Sequence, residues 1–125
     1  MYKILLVDDD ESTRRICGKV LGKQGYRIFE ANNGVEACRK ATSETPDLIL
    51  LDIMMPRMDG FEALELLKVN PATASIPVIM LTSRDMNYDI TLAVEQGVSG
   101  YITKPVTPDD LLDSVRRVLN LATGS

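Results

Sequence analysis

Hydrophobic and polar residues follow two alternating patterns along this chain. In the first pattern, short apolar runs are flanked by polar or turn-forming residues, which is typical of strands. Five such runs predict strands at Ile4–Val7, Tyr26–Ala31, Leu48–Leu51, Pro77–Leu81 and Gly100–Thr103. Leu48–Leu51 is apolar throughout, as expected of a strand covered on both faces of a sheet. Tyr26–Ala31 is mixed, as an edge strand can be.

In the second pattern, apolar residues recur at helical spacing in the stretches between the runs. The first stretch places Ile16, Val20 and Leu21 on one side, with Gly25 as its expected end. A weaker pattern from about residue 86 to 96 predicts a fourth helix. The last stretch has an apolar stripe formed by Leu111, Leu112, Val115, Val118 and Leu119.

Polar residues mark the start of three of these helices. Asn33 with Glu36, and Asp59 with Glu62, have the spacing of a capping box, in which the first side chain accepts from an amide one turn later. Thr107, followed by a proline, predicts the start of the last helix.

The regular alternation predicts an α/β fold. Parallel strands need a crossover, normally a right-handed helical one, so five strand–helix units favour a doubly wound parallel sheet of five strands with five helices. A chain of 125 residues can bury a core of its own, and we expect a single domain over residues 1–125. The small residues 122–125 predict a frayed end or the start of a linker.

Composition narrows the function class. The net charge is −4 and the 14 Lys and Arg residues form no dense basic stripe, which argues against direct nucleic-acid binding. The apolar runs are too short to span a bilayer, and residues 1–3 leave no room for a signal peptide, so we expect a cytoplasmic location without a membrane. Cys17 and Cys38 fall in predicted helices, which is typical of reduced, mostly buried thiols.

The chain contains no histidine. Zinc, haem and histidine-dependent general-base chemistry therefore lose their commonest ligand or base. A metal ion would be held by oxygen ligands, which favours a hard cation such as Mg2+. Any histidine chemistry must come from a partner.

Reactive side chains follow the predicted strands where each strand ends. They are Asp8, Asp9 and Asp10 after the first strand, Asp52 after the third, Thr82 after the fourth and Lys104 after the fifth. In an open parallel sheet these ends share the edge where ligands bind. Because converging carboxylates repel one another unless a cation lies among them, the sequence predicts a metal-dependent phosphate site.

Plainer interpretations exist for each residue. The acids at 8–10 can cap the next helix, but one acid suffices for that, so we expect one to cap and one or two to bind metal. Asp52 follows a buried strand, where a carboxylate loses solvation unless it is paired or near a metal. Lys104 alone could be a solvated surface lysine, and Thr82 a β-branched residue that ends a strand.

Four segments of this chain resemble the motifs of the response-regulator receiver domain of two-component signal transduction, including its chemotaxis regulators. They are ILLVDDD at 4–10, PDLILLDIMMPRMDG at 46–60, PVIMLT at 77–82 and GYITKP at 100–105. The segments occur in the family's order and spacing and cover essentially the whole chain, which makes the combination specific. The resemblance implies a flavodoxin-like fold with strand order 2-1-3-4-5, an order for which the chemotaxis regulator is itself a standard example.

The resemblance also implies roles for the matching residues. Asp52 would be the phosphoacceptor, taking a phosphoryl group from a phosphohistidine of a sensor histidine kinase or a histidine phosphotransfer protein. Asp9, Asp52 and the backbone carbonyl of Met54 would bind Mg2+, with Asp8 reaching it through water and Mn2+ able to substitute. Asp10 falls outside this site and is better explained as a helix-capping acid.

The other motif residues would neutralise and report the phosphoryl group. Lys104 would pair with Asp52 and then with the phosphoryl oxygens, and its bond to Pro105 would be cis. Thr82 would bond the phosphoryl group after transfer, and Tyr101 would swing inward behind it. With the fourth helix, fifth strand and fifth helix, they would switch the surface that controls a downstream protein or a covalently linked output domain, as a monomer or a phosphorylation-promoted dimer.

Two further positions should flank the path of the water that hydrolyses a phosphoaspartate. Met54 lies two residues after Asp52, and Arg84 lies two after Thr82. We hypothesise that the bulk of Met54 and the charge of Arg84 lengthen the lifetime of the phosphorylated state.

Two other α/β classes compete with this interpretation. Haloacid-dehalogenase-like phosphatases also use an aspartate nucleophile and Mg2+, but Glu11–Ser12 replaces the continuation of their motif and 125 residues leave no room for a cap domain. A flavodoxin-like electron carrier would have a phosphate loop rich in Ser, Thr and Gly where this chain is rich in Asp. We therefore expect a signalling switch and no enzyme for an outside substrate, either stand-alone or part of a longer regulator.

Overall fold

The computed structural model describes residues 1–55, 58–83 and 97–123, with side chains described as far as residue 120. The fourth helix predicted near residues 86–96 lies outside these ranges. The elements in chain order are β1 (Lys3–Val7), α1 (Glu11–Gly22), β2 (Arg27–Ala31), α2 (Gly34–Glu44), β3 (Leu48–Asp52), α3 (Gly60–Val69), β4 (Val78–Ser83), β5 (Gly100–Lys104) and the C-terminal helix (Pro108–Thr123).

The strands form one parallel sheet in the order β2-β1-β3-β4-β5. This confirms the predicted α/β class and the order that the resemblance implied. Val7 pairs with Leu51, and Asp52 pairs with Leu81, so that β1, β3 and β4 end at nearly the same level. The residues that follow these strands are thereby brought to one edge of the sheet.

Two hydrophobic layers enclose the sheet. Leu5 and Val7 face the layer under α2 and α3, whereas Ile4 and Leu6 face the layer under α1 and the C-terminal helix. Every residue of β3 is buried, and for Leu48–Leu51 the uniformly apolar sequence predicted this. Each fully buried aliphatic side chain contributes roughly 1.5–3 kcal/mol, so the central strand is a firm support for the residue at its end.

The predicted helix starts are confirmed. The Asn33 side chain accepts a hydrogen bond from the Glu36 amide at 2.8 Å. Asp59 and Glu62 form a complete capping box, with hydrogen bonds of 2.9 and 3.4 Å between each side chain and the other residue's amide. Thr107 accepts from the amide three residues later at 3.2 Å. These side chains set where α2, α3 and the C-terminal helix begin.

The predicted apolar side of α1 is partly wrong. Ile16 is 56% exposed, while Cys17 and Leu21 are buried. Gly18 lies over the sheet, where a Cβ would be 3.6 Å from a Leu6 methyl group, so α1 turns its Cys17–Gly18–Leu21 side inward. Both cysteines are free thiols, as expected. No helix among the described residues has the length and apolarity needed to cross a bilayer.

Candidate metal centre

Asp52 is the last residue of β3 and lies in the middle of the carboxyl edge of the sheet. Only 5% of its side chain is exposed. Its Oδ1 accepts a hydrogen bond from the Met54 amide at 3.2 Å and lies 3.3 Å from the ammonium nitrogen of Lys104. The carboxylate is therefore buried and held in place from two directions.

β1 brings two more acids to the same edge, because it lies beside β3 and ends level with it. Asp8 is 1% exposed, and its Oδ1 accepts from the Asp10 amide at 2.9 Å. Asp9 is exposed. Carboxylate oxygens of Asp8, Asp9 and Asp52 all lie within 4.8 Å of one another. Two oxygens on opposite sides of a Mg2+ ion are about 4 Å apart, so the three acids can surround one such ion after small adjustments.

Lys104, at the end of β5, extends its ammonium group into this cluster. Its Nζ lies 2.8 Å from Asp8 Oδ2 and 3.3 Å from Asp52 Oδ1. The lysine thus bridges both buried acids, whereas the resemblance implied a pairing with Asp52 alone. The bond between Lys104 and Pro105 is cis, the isomer that the resemblance implied.

The charges of the cluster shift its proton affinities. Burial first, and then the negative charge of Asp8, raise the pKa of Asp52 to about 7 against the opposing effects of Lys104 and the Met54 amide. Burial lowers the pKa of Lys104, but its contacts with Asp8 and Asp52 outweigh this, and the net shift is upward. Because Asp52 resists ionisation here, a second cation near it would be stabilising.

The donor set fits a hard divalent cation. Asp8 Oδ2 is buried, and its contact with Lys104 Nζ at 2.8 Å is an ion pair that lacks the geometry of a hydrogen bond. A cation could therefore bind this oxygen without displacing a hydrogen bond. Three carboxylates face one ammonium, and every available donor is oxygen, which is the chemistry that Mg2+ and Mn2+ prefer.

Thr82 and Tyr101 lie on the β4–β5 side of the same edge. Thr82 directly follows Leu81, the residue paired with Asp52, and is 4% exposed. Its hydroxyl donates to the Ile102 carbonyl at 3.4 Å and lies 3.4 Å from the Thr103 hydroxyl. Tyr101 is 48% exposed and points outward. In this structure the Thr82 hydroxyl therefore contacts β5, and no contact between Thr82 and the acids is seen among the described residues.

The two positions expected to flank the path of water are described only in part. Met54 is 50% exposed at the mouth of the cluster, and its amide is already bound to Asp52. Arg84 lies outside the described residues.

Asp10 has the structural role predicted for it. Its carboxylate caps α1, accepting from the Thr13 hydroxyl at 2.7 Å and from the Ser12 amide at 3.1 Å. Both hydrogen bonds lower the pKa of Asp10, and the bond from the Thr13 hydroxyl has the larger effect. Asp10 is also absent from the group of acids that could hold a metal.

Two residues with a part in the site were not found by sequence reasoning. Gly60 packs so closely against the end of β3 that a Cβ would lie 2.5 Å from the carbonyl oxygen of Asp52 and 2.7 Å from the Cα of Ile53. Arg14 donates from Nη1 to the Asp8 carbonyl at 2.7 Å. Gly60 stands in a recognised motif and could have been suspected, but nothing in the pattern distinguishes Arg14 from its neighbour Arg15.

Comparison with known proteins agrees with this geometry. The family description "Response regulator receiver domain" matches residues 4–116. PilH of Pseudomonas aeruginosa is 37% identical over 119 residues, which are 95% of this chain and 98% of PilH. The alkaline phosphatase synthesis transcriptional regulatory protein PhoP of Bacillus subtilis is 39% identical over 117 residues, 94% of this chain but only 48% of PhoP. The chain thus spans about half the length of some relatives and nearly all of others.

Solved structures give the same result. A CheY-like receiver domain protein from Methanospirillum hungatei superimposes with a TM-score of 0.90 at 31% identity, covering 99% of this chain and 98% of that one. Chemotaxis protein CheY4 of Vibrio cholerae has a TM-score of 0.88 at 33% identity, with 94% and 98% covered. These similarities favour a signalling switch over the haloacid-dehalogenase-like phosphatase alternative.

Proposed function

The chain belongs to the response regulator receiver domain family, and we propose that it is a phosphoacceptor switch in which Asp52 receives a phosphoryl group from a partner. The observation that carries this proposal is the cluster of Asp8, Asp9, Asp52 and Lys104 at one edge of the sheet, in which Asp8 and Asp52 are buried. Such a cluster supplies what phosphoryl transfer needs, namely a carboxylate nucleophile and charges that neutralise the transferred group.

The donor in this proposal is a phosphohistidine on a sensor histidine kinase or a histidine phosphotransfer protein, since the chain has no histidine of its own. An Asp52 oxygen attacks the phosphorus atom and forms a P–O bond. The P–N bond to the partner's imidazole breaks, and the ring nitrogen keeps the electron pair. No external substrate is turned over, and the acyl phosphate on Asp52 is the signal.

Asp9, Asp52 and the Met54 carbonyl would hold Mg2+, with Asp8 reaching it through water. When bound, the ion neutralises negative charge that develops on the phosphoryl oxygens. Lys104 would supply a second positive charge. Its ion pairs with Asp8 and Asp52 hold its ammonium group beside the carboxylate that would receive the phosphoryl group.

The phosphorylated state would be read out by β4 and β5. A phosphoryl group adds a charge of about −2 and strong acceptor oxygens next to Thr82. The Thr82 hydroxyl would exchange its long bonds to β5 for the phosphoryl oxygens, and the outward Tyr101 would move inward behind it. This change, with the segment before β5 and the C-terminal helix, would alter the surface offered to a partner.

The partners follow from the family only in general terms. The output would be a downstream protein or a covalently linked domain, because relatives of both lengths exist. We propose that residues 1–125 act as one receiver domain, that the domain works in the cytoplasm without binding nucleic acid itself, and that it is a monomer or dimerises on phosphorylation.

Phosphorylation with a small donor tests the proposal. The chain is incubated with acetyl phosphate and Mg2+, and its intact mass is measured before and after brief acid or hydroxylamine treatment. We expect one labile phosphoryl adduct that is absent from Asp52→Asn, absent after prior chelation, and retained by Asp10→Asn. An adduct that persists in Asp52→Asn would overturn the assignment of the phosphoacceptor.

A further inference from the structure

Asp9 is the least constrained of the three candidate metal ligands. Asp8 and Asp52 are buried and each accepts a hydrogen bond from a backbone amide. Asp9 is exposed, and no hydrogen bond to its side chain occurs among the described residues. The direction in which its carboxylate projects therefore depends on the backbone that carries it, above all on the Asp8–Asp9 peptide.

Arg14 holds that peptide from the first turn of α1. Its Nη1 donates to the Asp8 carbonyl oxygen at 2.7 Å, and that carbonyl belongs to the peptide that precedes Asp9. Its Nε donates to the Glu30 carboxylate at 3.1 Å, and only 16% of the Arg14 side chain is exposed. The backbone carbonyl of Glu30 also accepts a short hydrogen bond from Lys40, so the anchor on β2 is itself tied to α2.

We propose that Arg14 is a positioning residue for the metal site: by fixing the Asp8–Asp9 peptide against β2, it aims the Asp9 carboxylate at the cation. This inference rests on the proposed function, in which Asp9 binds Mg2+. It assigns to α1 and β2 a part in metal binding although neither element supplies a ligand. Residues that hold a ligand in place typically affect metal affinity by roughly 10- to 100-fold.

Whether removal of Arg14 weakens or strengthens Mg2+ binding distinguishes a positioning role from a purely electrostatic one. Arg14 is a cation near an acidic cluster, and a cation repels Mg2+. If Arg14 acted only through its charge, its removal would strengthen Mg2+ binding. If it positions Asp9, its removal weakens Mg2+ binding, because the peptide that aims the ligand loses its anchor.

Arg15 is a matched control on the same helix. It is the next residue, carries the same charge, and pairs with Glu11 at 3.5 Å in a contact in which both side chains are more than two-thirds exposed, 71% and 76%. It makes no bond to the Asp8–Asp9 peptide among the described residues. Arg15→Gln therefore removes a nearby positive charge without releasing that peptide.

The test is a Mg2+ titration of the metal-free full chain, followed by backbone amide chemical shifts. We expect Arg14→Gln to raise the Mg2+ dissociation constant roughly tenfold, at the lower end of the range for such partners. Arg14→Lys keeps the positive charge and a single donor group in place of the forked guanidinium. Its Mg2+ dissociation constant should lie between those of wild type and Arg14→Gln. Arg15→Gln should bind as tightly as wild type or slightly more tightly.

Circular dichroism shows whether each variant is folded, and Arg14→Met, which keeps the apolar stem, replaces Arg14→Gln if the latter does not fold. Mg2+ binding in Arg14→Gln, or in Arg14→Met where it replaces that variant, as tight as in wild type or tighter would overturn the positioning role while leaving the proposed function intact. A wild-type chain that shows no Mg2+ response would overturn the metal site itself, and this inference with it.

Discussion

At the carboxyl edge of the sheet, the side chains at the ends of β1 and β3 are held more tightly than those at the ends of β4 and β5. At the ends of β1 and β3, Asp8 and Asp52 are buried, accept amide hydrogen bonds of 2.9 and 3.2 Å, and share one lysine. At the ends of β4 and β5, the contacts of the Thr82 hydroxyl with the described residues are 3.4 Å long, and Tyr101 is half exposed. A hydrogen bond at the long limit contributes little, so the second half can change partners at small cost.

This difference suits a division of labour. Phosphoryl transfer gains from groups that are already in place, since reorganisation at the moment of reaction is costly. A readout instead needs two arrangements of similar free energy, which a ligand can tip from one to the other. The following predictions test whether the first half is as rigid, and the second as weakly held, as their contacts indicate.

The largest effect is expected from Gly60→Ala, which disturbs the close packing of α3 against the end of β3. The added Cβ would lie 2.5 Å from the Asp52 carbonyl oxygen, and since backbone rather than a flexible side chain must move, we expect a loss of about 3 kcal/mol in the free energy of unfolding. Urea unfolding followed by circular dichroism measures it. The control is Gly22→Ala at the end of α1, where nothing lies within 4 Å and the change should be neutral or stabilising. A Gly60→Ala variant as stable as wild type would contradict the tight packing.

The next largest effect concerns how the stability of the metal-free protein depends on pH. The native pKa of Asp52 is about 7 against an ordinary value of 3.8, so the native state binds this proton more tightly than the unfolded state. The contribution of Asp52 to stability is therefore greatest at low pH, falls as pH rises from about 4 to about 7, and is constant above that. Asparagine does not ionise, so Asp52→Asn avoids this loss of stability at high pH. The variant should be more stable than wild type by about 1–3 kcal/mol at pH 8.

Unfolding curves at pH 5 and pH 8 measure this difference, which should shrink at the lower pH. Asp10→Asn is the control, because asparagine caps helices as well as aspartate and Asp10 lies outside the cluster; it should not stabilise the protein at pH 8. Saturating Mg2+ should reverse the order, stabilising the wild type and leaving Asp52→Asn almost unchanged. Equal stability of wild type and Asp52→Asn at pH 8 without metal would contradict the raised pKa of Asp52.

A smaller effect is expected in the weakly held half. Within the described part of the chain, the hydrogen bonds that Thr82→Val removes are long, so the stability of the unphosphorylated protein should fall by less than about 1 kcal/mol. On treatment with acetyl phosphate and Mg2+, however, the ring signals of Tyr101 in NMR spectra should no longer shift. Thr103→Val, on the exposed side of β5, should keep that shift. A full Tyr101 response in Thr82→Val would show that the two residues are not coupled.

The smallest effect is predicted for the two positions that the resemblance places beside the path of water, Met54 and Arg84. Met54→Ala and Arg84→Ala should each shorten the lifetime of the phosphorylated state by roughly threefold, or about 0.7 kcal/mol of barrier, because water reaches the acyl phosphate more easily. A dephosphorylation time course after removal of the donor measures this. Val69→Ala, an exposed position at the far end of α3, should leave the decay unchanged. Decay at the wild-type rate in both Met54→Ala and Arg84→Ala would refute the hypothesis.

Much of this architecture could be predicted from local patterns. The burial of the apolar run Leu48–Leu51 and the caps at Asn33, Asp59 and Thr107 were predicted and are confirmed, since strand burial and helix starts depend on residues close in sequence. The placement of Ile16 was wrong. Helical spacing alone cannot tell which of two neighbouring apolar faces turns inward, and here Gly18 lets α1 approach the sheet on the side of Cys17 and Leu21.

The sequence by itself determined which chemical groups reach the carboxyl edge, because a reactive residue directly after a parallel strand must lie there in any sheet of this topology. Only the tertiary structure decided how those groups meet. Lys104 pairs with Asp8 as well as with Asp52, and the Thr82 hydroxyl is directed toward β5. Arg14, and not its neighbour Arg15, binds the backbone before Asp9. These contacts join residues far apart in the chain, and their distances depend on strand order and helix rotation, which no local pattern encodes.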